Sequence, residues 1–422
     1  MKRKPLARLI LTAVVTLLLC SADAQTFSVI HTFTGARDGA WPMAGVTLRN
    51  GVLYGNTYFG RLYGSGEGWG TVYTLTHTGS DWIADTVYLF QREKSDGVFP
   101  VSRVVFGPDG HLYGMTQYGG DYEDSGAVYT VVPHPGICRS ANCFWNESVV
   151  HSFNQIDGWF GGYGDLIWDK QGNMYGATVA AGYDQGYEGN IFQITPSGNG
   201  WTEISLYSFS QSGGDGLVPN GVTFDKAGNL WGTTEFGGAN GVGTIFYLTN
   251  VPGVGWQETI VHNFQTDTDG THPLGTLVAD SSGNYYGSTN GDGPGGGGTI
   301  YELSPSGNGW TFQVIYSFPA GPYDNCGPIG ELAMDSAGSL YGTTFCDGAH
   351  QQGNVFKLAN TANGWQYTSL HDFTGGSDGG SSVAGVTLDS DGTIYGTASG
   401  GGSFDGYCLN YMGCGTVWMI KP

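Results

Sequence analysis

Three charged residues stand at one position of a recurring pattern whose other copies carry small or neutral residues. In chain order the position reads Gly45, Arg103, Asp165, Gly221, Thr276, Glu331 and Gly385. Two carboxylates can do general acid–base work when their surroundings separate their pKa values, and a guanidinium can pair with either of them. Arg103, Asp165 and Glu331 are therefore the candidate catalytic residues, or else the polar wall of a binding pocket.

Aromatic side chains in Gly-rich loops form a second set of candidates. An aromatic ring offers a flat apolar surface with a polar edge, which suits stacking on a sugar. The candidate ligand-binding residues are Tyr58, Tyr63, Trp69, Tyr118, Tyr122, Tyr183, Tyr187 and Tyr411. The structural alternative is that these rings cover the Gly-rich loops that carry them.

Seven aspartates recur at one loop position, where they are candidates for binding a cation. They are Asp38, Asp96, Asp157, Asp215, Asp269, Asp324 and Asp378. Hard cations take oxygen ligands, so these carboxylates are candidates for Ca²⁺, whereas turn aspartates commonly bind their own backbone. No loop has the ordered D-x-D-x-D-G spacing of a calcium loop. We therefore expect a structural role, with Ca²⁺ as the one cofactor that the pattern allows.

These positions recur because the chain contains seven copies of one unit. An aromatic residue directly followed by Gly marks each copy, at Tyr54, Tyr113, Tyr175, Trp231, Tyr286, Tyr341 and Tyr395. Each copy has four short apolar runs rich in β-branched and aromatic residues, separated by turn residues, which predicts a four-stranded meander. Seven such units predict an all-β, seven-bladed β-propeller, with blades that begin near residues 44, 102, 164, 220, 275, 330 and 384.

The ends of the repeat array predict how the ring closes. Residues 25–34 match the fourth strand of a unit, and the last unit stops after its third strand at residues 415–420. We expect the first strand to become the outer strand of the last blade, an offset for which a linear solenoid gives no reason. Inner strands line the central channel of a propeller. We expect Arg103 and Asp165, in adjacent blades, to pair there, and Glu331 to lie across the ring without a cationic partner.

The units also resemble the GloVer tandem repeat of secreted bacterial proteins. The fourth copy carries the resemblance in the residues Leu206–Phe209, Asp215, Gly216, Pro219, Asp225, Gly228–Thr234, Gly237, Gly238 and Gly243–Phe246. The same ordered pattern recurs over nearly all of residues 25–422. The resemblance implies a secreted repeat protein and no established activity.

Composition narrows the class of partner. Residues 1–24 have a basic start, an apolar run and a small-x-small end before Gln25, which predicts a cleaved signal peptide and a secreted or periplasmic protein. No segment reaches the roughly 20 apolar residues of a membrane helix. With 15 Lys and Arg and a net charge of −21, the chain lacks the cations that nucleic-acid binding needs. We expect one propeller domain at residues 25–422 that does not bind nucleic acid.

Six cysteines remain after residue 24, and the repeat map pairs them locally. Cys138–Cys143 and Cys408–Cys414 each share one loop, and Cys326–Cys346 joins two loops on one face of the same blade. The spacings do not match zinc motifs. Three disulfides are expected, in keeping with an oxidising compartment.

The function remains open among three classes. The first is a non-catalytic module that binds a glycan or other surface polymer through the loop face. The second is a polysaccharide-active hydrolase or lyase using the channel carboxylates, although the chain has no H-E-x-x-H or P-loop motif. The third is a protein-interaction scaffold. The export signal, the loop aromatics and the missing motifs favour the binding module.

Overall fold

The computed structural model describes residues 25–60, 68–92, 96–121, 124–133, 145–154, 156–180, 188–198, 200–404, 408 and 412–422. Within these ranges the chain folds into thirty strands and one short helix. The strands are β1 (Thr26–Thr32), β2 (Thr47–Arg49), β3 (Val52–Thr57), β4 (Thr71–Thr78), β5 (Asp81–Leu89), β6 (Gly97–Pro100), β7 (Val105–Phe106), β8 (Leu112–Gly119), β9 (Ala127–Val132), β10 (Asn146–Ser152), β11 (Trp159–Gly161), β12 (Ile167–Trp168), β13 (Met174–Ala180), β14 (Asn190–Ser197), β15 (Gly200–Ser208), β16 (Gly216–Phe224), β17 (Leu230–Gly237), β18 (Thr244–Val251), β19 (Gly255–Asn263), β20 (Val278–Ala279), β21 (Tyr285–Thr289), β22 (Gly296–Ser306), β23 (Gly309–Pro319), β24 (Ala333–Met334), β25 (Leu340–Thr343), β26 (Asn354–Thr361), β27 (Gly364–Asp372), β28 (Thr387–Leu388), β29 (Ile394–Ala398) and β30 (Thr416–Lys421); the helix is α1 (Thr266–Asp269).

The strands form seven antiparallel sheets, which are the blades of a seven-bladed β-propeller, as predicted. In order from the inner to the outer strand, blade 1 is β2-β3-β4-β5, blade 4 is β16-β17-β18-β19, blade 5 is β20-β21-β22-β23 and blade 6 is β24-β25-β26-β27. In blades 2 and 3 the inner edge is divided between two short strands, β6 with β7 and β11 with β12. Blade 7 is β28-β29-β30-β1, so the first strand closes the ring, with Thr26 paired to Lys421 and Thr32 to Thr416.

The aromatic-Gly signature has a steric cause. In blades 2 to 6 the aromatic residue of the pair donates a hydrogen bond to the Asp of the preceding turn, as Tyr175 does to Asp169 at 2.9 Å. The Gly leaves room for an aromatic ring on the next strand, because a Cβ at Gly232 would lie 2.7 Å from the ring of Phe246. Close-packed interiors do not tolerate such overlaps, so the pair recurs wherever that ring recurs.

The core lies between neighbouring blades rather than within one of them. Tyr175 and Ile191 of blade 3, for example, pack in one buried cluster with Val222, Leu230 and Phe246 of blade 4. Each blade therefore buries its faces only when its neighbours are present. In the part of the chain that the structure describes, no helix is long and apolar enough to cross a bilayer.

Two of the three predicted disulfides are confirmed. Cys326 bonds to Cys346 across 20 residues, and Cys408 bonds to Cys414 across 6 residues. Cys138 and Cys143 lie outside the described residues, as does the predicted signal segment 1–24. The two bonds suit an oxidising, extracytoplasmic compartment.

Candidate functional site at the channel mouth

The inner strands approach one another so closely at the channel that most blades can place only a small residue there. A Cβ at Gly45 would lie 2.8 Å from the carbonyl oxygen of Gly385, and one at Gly221 would lie 2.8 Å from Oγ1 of Thr276. The three charged side chains at this position therefore project into a narrow space. They line one cavity of about 320 Å³, and all seven blades contribute to its lining.

Arg103 joins both carboxylates of this cavity. Its Nε atom lies 2.8 Å from Oδ2 of Asp165, and its Nη2 atom donates to Oε2 of Glu331 at 2.6 Å. Its Nη1 atom donates to Oγ1 of Thr387 at 3.3 Å. The predicted pairing with Asp165 is present, but the expectation that Glu331 lacks a cationic partner is wrong. The channel is narrow enough for the long guanidinium side chain to reach across it.

The charges of this trio are strongly coupled because little water reaches them. The side chains of Arg103, Asp165 and Glu331 are about one-fifth exposed. Burial raises the pKa of Asp165 to about 7; Arg103 opposes that rise, and the charge of Glu331 and a hydrogen bond with it add to it. Burial lowers the pKa of Arg103, but the two carboxylates outweigh burial and raise it. The pKa of the Asp165 carboxyl is therefore set by burial and by both of its charged neighbours together.

The lining of the cavity also includes an exposed tyrosine and another acid. Tyr163 is 49% exposed, and both it and Glu235 line the cavity. Burial raises the pKa of Glu235 to about 7, and its Oε1 atom lies 3.7 Å from Nδ1 of His272. Apolar side chains also line the cavity, among them Met43, Leu274, Ile329 and Val383. The cavity lining therefore combines an aromatic ring, apolar side chains and largely buried polar groups, the usual composition of a small-ligand site.

The recurring loop aspartates cap their own turns. In six of the seven loops the carboxylate accepts a bond from the loop backbone or lies against the His or Tyr of the preceding outer strand, as when Tyr88 donates to Asp96 at 2.8 Å and Nε2 of His371 lies 3.1 Å from Asp378. The residues are Asp38, Asp96, Asp157, Asp215, Asp269 and Asp378. This arrangement explains why His and Tyr alternate in the outer strands, because both can donate to the carboxylate. A Ca²⁺ role for these aspartates stays a prediction.

The loop aromatics that fall within the described residues pack against one another. Tyr58 stacks on Phe99 with ring centroids 4.8 Å apart, Trp69 meets the same ring at 5.4 Å, and Tyr118 meets Phe160 at 4.8 Å. We call this row, completed by Trp41 and Phe59, the aromatic arc; it runs across blades 1–3. Tyr63, Tyr122, Tyr183, Tyr187 and Tyr411 lie outside the described residues.

Sequence reasoning missed three members of the arc. Trp41, Phe99 and Phe160 each stand three residues after a loop aspartate and adopt positive φ angles of 58–59°. Non-glycine residues rarely adopt this conformation. Here it lets each backbone N–H reach a carbonyl of the preceding blade, as Phe99 does to Trp69 at 2.8 Å. The sequence carried a signal for them, because the position three residues after the loop aspartate is aromatic in three successive units.

Fold and cavity together define a seven-bladed β-propeller with a pocket of mixed polar and apolar lining at its channel. The chain belongs to the Gloeobacter/Verrucomicrobia repeat family, whose profile matches residues 15–220 and 145–332. This confirms the resemblance of the repeat units. No curated protein matches the sequence.

Solved structures share the fold at low sequence identity. The extracellular domain of a candidate one-component system from B. thetaiotaomicron is similar over 94% of this chain and 40% of that chain, with 12% identity and a TM-score of 0.51. A polysaccharide lyase, an ulvan lyase bound to -[GlcA(1-4)Rha3S]-, is similar over 92% of this chain and 94% of that chain, with 11% identity and a TM-score of 0.50. At these identities the similarity shows a common architecture alone.

Proposed function

We propose that this protein is a non-catalytic binding module that takes one sugar unit of a glycan into the cavity at the channel mouth. The observation that carries the proposal is the half-exposed Tyr163, which lines the same cavity as Glu235 and the trio of Arg103, Asp165 and Glu331. The ring offers a stacking surface to the apolar face of a sugar. The acids accept hydrogen bonds from its hydroxyl groups, and the neighbouring aromatic arc extends the surface along which further units can lie.

The charge of the protein favours a neutral or basic glycan. The chain carries a net charge of −21, and the cavity presents three acids to one guanidinium. An acidic polymer would meet repulsion on approach and inside the cavity. Neutral polymers avoid that repulsion, and amino sugars gain from it.

Retention on immobilised polysaccharides tests this proposal. The purified protein is applied to an array of neutral, basic and acidic polysaccharides, and Tyr163→Ala is compared with Tyr323→Ala. Tyr323 is 74% exposed in the lead-in loop of blade 6 and does not line the cavity, so it controls for the loss of an exposed ring. We expect retention of the wild type and of Tyr323→Ala, and loss for Tyr163→Ala. Equal retention of both variants would contradict the proposal.

The second candidate is an enzyme that cleaves a polysaccharide, and the raised pKa of Asp165 favours it. A carboxyl with a pKa of about 7 holds a proton that a general acid can donate near neutral pH. New reducing or unsaturated chain ends in the same wells would support this candidate, provided that Asp165→Asn abolishes them. If no polysaccharide is retained or cleaved, a protein partner on the loop face becomes the leading interpretation.

A further inference from the structure

The contacts between the outer strands of neighbouring blades fall into a few types, and one junction combines two residue types that meet at no other junction. The His or Tyr of one outer strand faces a fixed position on the outer strand of the next blade. This position lies two residues after the Trp at the start of that strand, or after Gln25 where the strand is β1. Reading from blade 7, that position holds Phe27, Ala84, Glu147, Glu203, Glu258, Phe312 and Tyr367. The chemistry of the junction depends on which two types meet.

Where the facing residue is aromatic, the two rings stack. His371 stacks on Phe27 with centroids 3.5 Å apart, and His262 stacks on Phe312 at 3.8 Å. Where the facing residue is Glu, the partner is Tyr at two of three junctions, and that Tyr donates to the loop aspartate, as Tyr207 does to Asp215 at 3.0 Å. A neutral phenol is a poor metal ligand, so neither arrangement suits a cation.

The junction between blades 2 and 3 alone places a His opposite a Glu. His151 lies on β10, Asp157 lies on the loop into blade 3, and Glu203 lies on β15. One ligand atom from each lies within 4.8 Å of the others, and Nε2 of His151 is 3.2 Å from Oδ2 of Asp157. This Nε2 atom is buried and makes no well-directed hydrogen bond within the described residues.

We propose that His151, Asp157 and Glu203 bind a Zn²⁺-type divalent cation that ties the outer edge of blade 2 to blade 3. One imidazole nitrogen and two carboxylate oxygens match the ligands of this ion, with a fourth position open to water. Ca²⁺ fits less well, because it prefers oxygen ligands throughout. This site is separate from the channel-mouth cavity, and the proposal does not rest on the glycan-binding function.

The geometry needs little rearrangement. Metal–ligand distances of about 2.0–2.2 Å put the donor atoms of a tetrahedral site roughly 3.4 Å apart. His151 and Asp157 already meet this condition at 3.2 Å. Asp157 is held by Asn154, whose backbone N–H and side-chain amide donate to its two oxygens at 2.8 and 2.7 Å. Glu203 has the longest side chain of the three ligands and supplies the remaining movement.

The repeats supply matched variants for the test. Glu203→Phe recreates the stacked junction found at His262 and His371, and His151→Tyr recreates the junctions found at Tyr88 and Tyr207. Each removes one ligand while keeping a packing that the fold already uses. Glu258→Phe makes the same Glu-to-Phe change at a junction without His and serves as the control.

Tag-free protein treated with a chelator is titrated with Zn²⁺ by calorimetry, and thermal unfolding is followed with and without the ion. We expect one equivalent to bind the wild type and Glu258→Phe and to raise the unfolding temperature of both, because a ligand of the folded state stabilises it. Loss of an outer hydrogen-bonding partner typically costs about 10–100-fold in metal affinity, so loss of a ligand in Glu203→Phe or His151→Tyr should cost more than about 100-fold.

A gain of binding completes the test. Phe312→Glu places an acid opposite His262, whose Nε2 atom lies 3.0 Å from Asp269, and should add a second equivalent of Zn²⁺. Wild-type affinity in Glu203→Phe and His151→Tyr, or no binding by the wild type, would overturn the proposal.

Discussion

The Nη2 atom of Arg103 lies 2.6 Å from Oε2 of Glu331, although the two residues are 228 positions apart in the chain. They belong to blades 2 and 6, so the contact crosses the channel rather than following a blade junction. Because Arg103 also contacts Asp165 in blade 3, one guanidinium pairs with carboxylates from two other blades. The fold and the candidate site therefore depend on the same side chain.

Removing that guanidinium should destabilise the protein. Arg103→Met keeps much of the apolar stem but leaves Asp165 and Glu331 facing each other without a cation. Breaking a buried ion pair costs about 3–5 kcal/mol; because these side chains are about one-fifth exposed, we expect the lower end, about 3 kcal/mol at pH 7.5. Denaturant unfolding measures the change. The triple variant with Asp165→Asn and Glu331→Gln should recover part of the loss, and no recovery would contradict this electrostatic account.

Stability should fall as the pH rises from 6.5 to 8.5. Burial raises the pKa of Glu147 to about 8 and those of Asp165, Glu235 and Glu258 to about 7. In this range the folded state keeps protons that the unfolded state has already lost, so the free energy of unfolding decreases with pH through the folded-state pKa values. The lowered pKa of His262 and His371 acts with the opposite sign, mainly below pH 6.5.

Thermal unfolding across this pH range measures the effect, and Glu147 offers a sharp variant. Glu147→Gln removes the group with the highest of these pKa values and should flatten the decline. Asp391 has a lowered pKa, caused by hydrogen bonds from Thr393, so Asp391→Asn should leave the slope between pH 6.5 and 8.5 unchanged. A wild-type slope in Glu147→Gln would show that its carboxyl does not titrate in this window.

Much of the fold could be predicted because its causes are local and repeated. The aromatic-Gly pair, the turn aspartates and the offset ends each recur or complement one another, so they predict blades, blade number and ring closure. The same map placed Arg103, Asp165 and Glu331 at the channel and paired Cys326 with Cys346. Each of these inferences needs only the position of a residue within its unit.

What sequence reasoning missed depends on the reach of side chains between units. The contact of Arg103 with Glu331 follows from the width of the channel, which no single unit specifies. Trp41, Phe99 and Phe160 of the arc occupy a left-handed backbone position. No single unit reveals this position, which becomes visible only when the seven units are aligned. The juxtaposition of His151 and Glu203 needs two columns of the repeat to be compared across a junction rather than within a blade.

The two described disulfides should differ in their contribution to stability. Cys326–Cys346 closes 20 residues and Cys408–Cys414 closes 6. By the loop-entropy relation, the longer loop is worth about 3 kcal/mol and the shorter about 2 kcal/mol. We expect that replacing both Cys residues of a pair by Ser lowers the free energy of denaturant unfolding more for Cys326–Cys346 than for Cys408–Cys414. Equal losses, or a larger loss for the short loop, would show that loop entropy does not set their contribution.

The pairing of β1 with β30, which closes the ring, should depend on the side chain of Phe27. Phe27 stacks on His371 and also lies within about 6 Å of the rings of Phe373 and Trp418. Phe312 makes the same kind of stack with His262, but within a covalently continuous part of the ring. We expect Phe27→Ala to release β1 from β30, because only hydrogen bonds and side-chain packing hold this junction.

Hydrogen exchange measures the release: protection should fall in residues 26–32 and 416–421. Phe312→Ala, the control, should weaken only its own blade junction. Unchanged protection of β1 and β30 in Phe27→Ala would mean that the backbone pairing closes the ring without this side chain.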